Sequence, residues 1–216
     1  MTVIRTTPAQ RETLRQRMAE LLASGDVARI RFRYGRFTLR PGGYTVIATS
    51  LLTRTIHHEG ERRTRRPMDV RVERMPRHVG ALYEARSNTI VVPSVDFGQT
   101  DADRAALVHE ATHAIFDYER VPLTAFEEEA CAYIADAMYQ RITYQSLPTG
   151  SSAIRQEAWR IAQDLVAPHR LMAAWSDEVS AADMRTLIAT IRTSPTYREL
   201  AARRADYVYE HDGGTI

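Results

Sequence analysis

The feature that most constrains this chain is the pentapeptide His109-Glu110-Ala111-Thr112-His113 and the frame around it. On an α-helix, residues four apart lie on one face, so His109 and His113 can offer two imidazoles to a single ion. Glu110 is rotated from that face by about 100° and is placed to reach a water beside the ion rather than the ion itself. Zn²⁺ brings the pKa of such a water to roughly 7, and a neighbouring carboxylate can take its proton. The pentapeptide is short, so its surroundings decide. Thr100 and Asp103 have the spacing of a capping box, and Leu107, Ala111, Ala114, Ile115 and Tyr118 then recur at helical intervals. The spacing predicts an amphipathic helix of about eighteen residues that carries the motif. The competing reading is two ordinary histidines on a helix surface.

A catalytic zinc site needs a third protein ligand and leaves its fourth position to water. Candidates follow a short break at Glu119-Arg120-Val121-Pro122-Leu123, where Thr124 and Glu127 read as the capping box of a second helix. That role assigns Glu127 to the cap. Glu128 and Glu129 remain, ahead of the apolar run Ala130-Cys131-Ala132-Tyr133-Ile134-Ala135. If the two helices form an antiparallel hairpin, His113 and Glu129 come out nearly level at about 1.5 Å rise per residue. The small residues Ala130, Ala132 and Ala135 would allow close backbone approach. Asp136 is the charged residue inside this apolar stretch, and a carboxylate there should have a partner. It lies two turns from Glu129 and shares its face, whereas Glu128 shares a face with Cys131 and Ala135. Glu129 is therefore the expected third ligand, with Glu128 as the alternative, and Asp136 is expected to orient a ligand histidine. A solvated acidic first turn, favoured by the helix dipole, is the plain alternative for either glutamate.

The stretch HEATHAIFDY followed by EEEACAYIAD resembles the gluzincin branch of the zincin metallopeptidases, in which a Glu on the next helix completes a His-His-Glu site. The arrangement around Glu129 is similar to compact bacterial members such as the ImmA/IrrE-like peptidases. The likeness covers roughly residues 79 to 145. Ala114 to Glu119 hold neither the Gly nor the third His of the longer metzincin signature. The resemblance implies an α+β, zincin-like fold: a small mixed or antiparallel sheet packed on the motif helix and on a second, ligand-bearing helix. It also implies a strand just before the motif helix with which an extended peptide pairs; Thr89-Ile90-Val91-Val92-Pro93 is the candidate, with an ordinary core strand as the equal alternative. Related peptidases use a His or Tyr to stabilise a tetrahedral intermediate; here His169, beside Arg170, and Tyr197 or Tyr207 are available, with a surface role as the plainer reading of each.

Composition narrows the rest. Apolar content of 44% and charged content of 26% are ordinary for a globular protein. All 29 basic residues are arginine, yet the net charge is only +2, too small to argue for nucleic acid. An arginine run at Arg54, Arg62, Arg63, Arg65, Arg66, Arg71, Arg74 and Arg77 reads as a solvated loop followed by a strand at 69–74; no aromatic interleaving or helix-turn-helix pattern makes it a nucleic-acid patch. The single cysteine, Cys131, excludes an internal disulfide and reads as a small core residue. No apolar stretch has signal-peptide or membrane-span length, so the expected location is cytoplasmic, or exported without a cleaved signal.

Elsewhere the pattern predicts a helix from Thr7-Pro8 to about Ala23, a strand pattern from Val27 to Leu39 turning near Gly35, and a strand over Tyr44 to Leu52. A hairpin is predicted over 80–93. Beyond the break at Leu147-Pro148-Thr149-Gly150, three helices are predicted at 152–166, 181–191 and 195–209, with a disordered tail at 211–216. The expected organisation is a catalytic region, 1–147, and a C-terminal helical annex, 148–216. The expected function is a zinc-dependent metallopeptidase with one Zn²⁺ per chain, held by His109, His113 and Glu129. Glu110 activates the water that attacks a peptide or protein substrate. The alternatives are a catalytically silent zincin-fold binding or regulatory module, and a toxin or effector built on a zincin core.

Overall fold

The computed structural model describes residues 2–53, 67–76, 79–166, 177–202, 207–209 and 211. In chain order the elements are β1 (Thr2–Val3), α1 (Pro8–Leu22), β2 (Phe32–Tyr34), β3 (Phe37–Leu39), α2 (Pro41–Thr53), β4 (Asp69–Arg74), β5 (Leu82–Glu84), β6 (Thr89–Val92), α3 (Asp101–Glu119), α4 (Ala125–Thr143), α5 (Ala153–Leu165), α6 (Ala181–Thr193) and α7 (Arg198–Ala201). The protein is mixed α+β, and among the described residues no helix is long and apolar enough to cross a membrane. It divides into two compact units, one of Met1–Ala28, Gly42–Val121 and Glu210–Ile216, the other of Arg29–Pro41 and Pro122–Tyr209. One boundary of the division falls between α3 and α4.

The first unit is built on a four-stranded sheet in the order β1-β4-β6-β5. β4 and β6 pair in parallel, with Val70 opposite Ile90 and Val72 opposite Val92, while β5 joins β6 antiparallel. All four residues of β6 are buried, as expected of a strand whose two edges are both filled. Of the two readings of residues 89–93, the structure shows the core strand, and the edges of the sheet are β1 and β5. The turn between β5 and β6 closes on Asn88, whose positive φ of 48° suits an Asn.

A correction concerns residues 44–52, which form helix α2 and not a strand. Thr45, Val46, Ile47 and Thr49 have strand-favouring side chains, but the buried set is Tyr44, Ile47, Ala48 and Leu51, an i, i+3, i+4, i+7 stripe. Pro41 at the first helical position pre-sets the backbone. Burial of the stripe overrides the local preference. Near its start, α2 meets α3 so closely that a Cβ at Gly43 would lie 2.9 Å from Cδ1 of Ile115.

In the second unit β2 and β3 form a hairpin with Gly35 in the left-handed region (φ 56°) at the turn's first position. Its core gathers Ile30, Phe32 and Leu39 from around the hairpin with Cys131, Ile134 and Met138 of α4, Trp159 and Ile161 of α5, and Met184 and Leu187 of α6. Cys131 is fully buried, and burial pushes its thiol well above the ordinary range, which fits an inert core residue. Among the described residues of the helix predicted over 195–209 are a 3₁₀ turn at Pro195–Tyr197 and the short α7. The last residues of that predicted helix are used otherwise: the Tyr207 carbonyl accepts from the Ala125 N–H at 2.8 Å, satisfying a donor that the first turn of α4 leaves open. The loop expected at 54–66, with Arg77, His169 and Arg170, and the tail at 212–216 lie outside the described residues. His211 is described, and it is seated on a buried carboxylate rather than free in a tail.

The close approach at Gly43 yields a paired expectation. Gly43→Ala crowds the stiff Ile115 side chain, and overpacking outweighs the helix-propensity gain, for a net loss of about 1 kcal/mol. Gly42→Ala meets nothing within 4 Å and is expected to be neutral or stabilising. Urea unfolding of both variants checks the order; a more stable Gly43→Ala would show that α2 and α3 are not in contact there.

Candidate metal centre

Helix α3 is started by the capping box expected of it: Thr100 Oγ1 accepts from the Asp103 N–H at 3.1 Å, and Asp103 Oδ2 from the Thr100 N–H at 3.3 Å. Twelve of its nineteen residues are buried, so the helix is covered well beyond a single stripe. Thr112, in the middle of the motif, is fully buried and completely engaged; its hydroxyl donates to the Val108 carbonyl at 2.8 Å and lies 2.7 Å from the Tyr44 hydroxyl. His109 and His113 stand one turn apart with ring centroids 5.1 Å apart and planes at 65°, and His113 also meets the Phe116 ring edge-on. The pair is a helical i, i+4 neighbour pair, as the spacing requires.

Glu110 is 9% exposed and points at the edge strand: its Oε2 accepts the backbone N–H of Tyr83 at 2.7 Å. The Tyr83 side chain reaches further along the same helix, where its hydroxyl donates to Asp117 Oδ2 at 2.8 Å, with Asn88 Oδ1 3.0 Å away. Asp117 is 1% exposed, and its other oxygen lies 3.5 Å from Nδ1 of His211. A buried carboxylate demands such partners. Asp117 stands one turn beyond His113, a spacing visible in HEATHAIFD; the Tyr83 contact to Glu110 is made by a backbone N–H and leaves no mark in the sequence.

Helix α4 is likewise capped as expected. Thr124 Oγ1 receives the Glu127 N–H at 3.4 Å, and Glu127 Oε2 accepts from both the N–H and the hydroxyl of Thr124 at 2.8 Å. Glu127 Oε1 also takes the Tyr34 hydroxyl at 3.0 Å, and burial beside that carboxylate pushes the Tyr34 phenol up to about 12. Glu128 and Glu129 are both buried. Glu129 receives a phenol on each oxygen, Tyr197 on Oε2 at 2.7 Å and Tyr209 on Oε1 at 3.1 Å. The Tyr133 and Tyr197 hydroxyls are 3.0 Å apart. Burial, and next the Glu129 charge, holds both Tyr197 and Tyr209 far above the ordinary tyrosine range, and burial pushes Tyr133 up to about 12. All three phenols stay protonated at neutral pH. Tyr197, for which a surface role was the plainer reading, is committed to Glu129.

Asp136 has partners other than the expected histidine. Gln140, one turn along the same face, donates its Nε2 to Oδ1, and the Arg155 guanidinium lies 3.7 Å from Oδ2. With an amide and a cation on it, the 2%-exposed carboxylate is compensated within its own helical layer.

His109, His113 and Glu129 each present a ligand atom within 4.8 Å of the other two, and among the described residues they form a group able to hold a metal ion. Glu128 is not part of that group. Two imidazole nitrogens and a carboxylate oxygen are a donor set suited to a borderline ion such as Zn²⁺, with a coordination position left over. Compared with known protein families, curated proteins and solved structures, the chain matches none.

Removing the Tyr83 hydroxyl tests the brace on α3. Tyr83→Phe leaves buried Asp117 short of a donor and is expected to lower stability by about 1–3 kcal/mol. Chemical unfolding of the purified variant reads it, and an unchanged midpoint and slope would mean that the hydroxyl contributes nothing there.

Proposed function

We propose that this protein is a zincin-like, zinc-dependent metallopeptidase in which His109, His113 and Glu129 hold one Zn²⁺ and Glu110 is the general base. The observation that carries the reading is the convergence of those three ligand atoms, with a held carboxylate next to the first histidine in the chain. Zinc, when bound, supplies a Lewis acid that polarises a peptide carbonyl and makes a neighbouring water acidic near neutral pH. Glu110 takes the proton of the attacking water and hands it to the leaving amine. The backbone N–H of Tyr83 keeps the Glu110 carboxylate aimed while the site waits for substrate. β5, as an edge of the sheet, is the strand on which an extended peptide would lie, adding itself by backbone hydrogen bonds. Peptide or protein is therefore the proposed substrate class.

The reading is tested by elemental analysis joined to an activity screen. About one zinc per chain is expected in the wild type, and it should be lost in His113→Ala and Glu129→Ala. Glu110→Gln should keep its zinc and lose peptide hydrolysis by a factor of about 10²–10⁴ or more. A Glu110→Gln variant as active as wild type would refute the mechanism. Zinc lost with His113→Ala but kept with Glu129→Ala would move the third ligand elsewhere. A wild type that takes up no metal after reconstitution would remove the peptidase reading altogether.

A further inference from the structure

A buried carboxylate ligand must be held by something, and the holders of Glu129 come from a distant part of the chain. Tyr197 belongs to the 3₁₀ turn after α6, and Tyr209 to the short irregular stretch 207–209. That stretch is pinned to the start of α4 by the Tyr207 carbonyl on the Ala125 N–H. The backbone anchor at Ala125 and the carboxylate that the two phenols meet are thus four positions apart on α4.

Proton inventory fixes the direction of the network. An ionised carboxylate only accepts, so the single proton of each phenol goes to Glu129. The Tyr197 hydroxyl also lies 3.0 Å from that of Tyr133, one turn beyond Glu129 on α4. A carboxylate oxygen has about two lone-pair sites, so accepting from a phenol does not by itself bar it from an ion. The arrangement is therefore compatible with ligation and restricts how the carboxylate can turn.

We propose that Tyr197 and Tyr209, delivered by the segment after α6, are positioning residues that clamp the two oxygens of Glu129 in its ligating orientation, with Tyr133 supporting Tyr197. The inference rests on the proposed zinc site and extends it to a segment far from the motif helices. A carboxylate left free to rotate must be ordered on binding an ion, whereas a clamped one is ordered already. Hydrogen-bond partners of ligating groups typically contribute 10–100-fold to metal affinity. Tyr197, at the shorter distance, contributes the larger share.

The test is Zn²⁺ affinity by competition with a chromogenic chelator, on full-length wild type, Tyr197→Phe, Tyr209→Phe and the double variant. Far-UV circular dichroism of the metal-free proteins accompanies it, so that a folding defect is seen separately. Each single variant should bind Zn²⁺ about 10–100-fold more weakly, Tyr197→Phe more so than Tyr209→Phe, with the double variant weakest. Loss of a merely structural hydroxyl would lower the melting temperature and leave the affinity alone. Should Tyr197→Phe fail to fold, Tyr209→Phe carries the test, because it acts on the other oxygen. Folded single variants with wild-type affinity would overturn the clamp and leave the metal site standing. A wild type that binds no Zn²⁺ would remove the site itself, and the clamp with it.

Discussion

A helix buried over most of its surface can carry ionisable side chains only where something answers them, and that constraint organises this protein. α3 places His109, Glu110 and Asp117 among its twelve buried residues. An unanswered buried carboxylate would be neutralised or would cost several kcal/mol. The answers are specific: a backbone N–H for Glu110 and a phenol and an imidazole for Asp117. Much of the first unit's edge, from β5 to the residue at 211, is placed by the need to supply them.

The same constraint works on α4, where Glu128, Glu129, Asp136 and Gln140 are buried in a helix otherwise rich in alanine. Small side chains permit close packing but supply no donors. The donors come from neighbours: Arg155 of α5 for Asp136, and Tyr197 and Tyr209 for Glu129. Asp136 meets a cation and an amide, whereas each oxygen of Glu129 receives a hydrogen bond from a phenol.

What was legible in the sequence was whatever depended on short spacing. The caps at Thr100 and Thr124, the helices they start, the Gly35 turn and the grouping of His109 with His113 all follow from residues a few positions apart. The role of Glu127 as a cap was legible for the same reason. Failures came where distant parts decide. Residues 44–52 have strand-like side chains and become helical because the apolar stripe, anchored by Tyr44 and Leu51, has a surface to bury against. Whether residues 89–93 lie at an edge or in the core stayed open, because sheet order is set by pairing across the chain, which local pattern does not encode. Asp136 was expected to need a partner, and those the structure shows are Gln140 on its own face and Arg155, which lies on another helix and leaves no local mark. Tyr209 fell inside a predicted helix, so its hydroxyl had no predicted direction.

Tyr83 shows how little of a site need be written in its motif. Its backbone N–H meets Glu110 and its hydroxyl meets Asp117. Those carboxylates are seven residues apart on α3, two turns or about 10.5 Å, and so lie on one face. A single extended residue with a long, rigid side chain can bridge much of that span, with the two carboxylate side chains closing the remainder. Fixing both ends sets the angle and the register of β5 along the helix at once, because rotating the strand about either bond would break the other. In the proposed peptidase this couples two tasks. The strand that would receive a peptide and the base that would act on it share one hydrogen bond, so a peptide adding to β5 would compete with Glu110 for the Tyr83 N–H. The proposed base lies in the pentapeptide, but the hydrogen bond that holds it comes from a tyrosine in an edge strand.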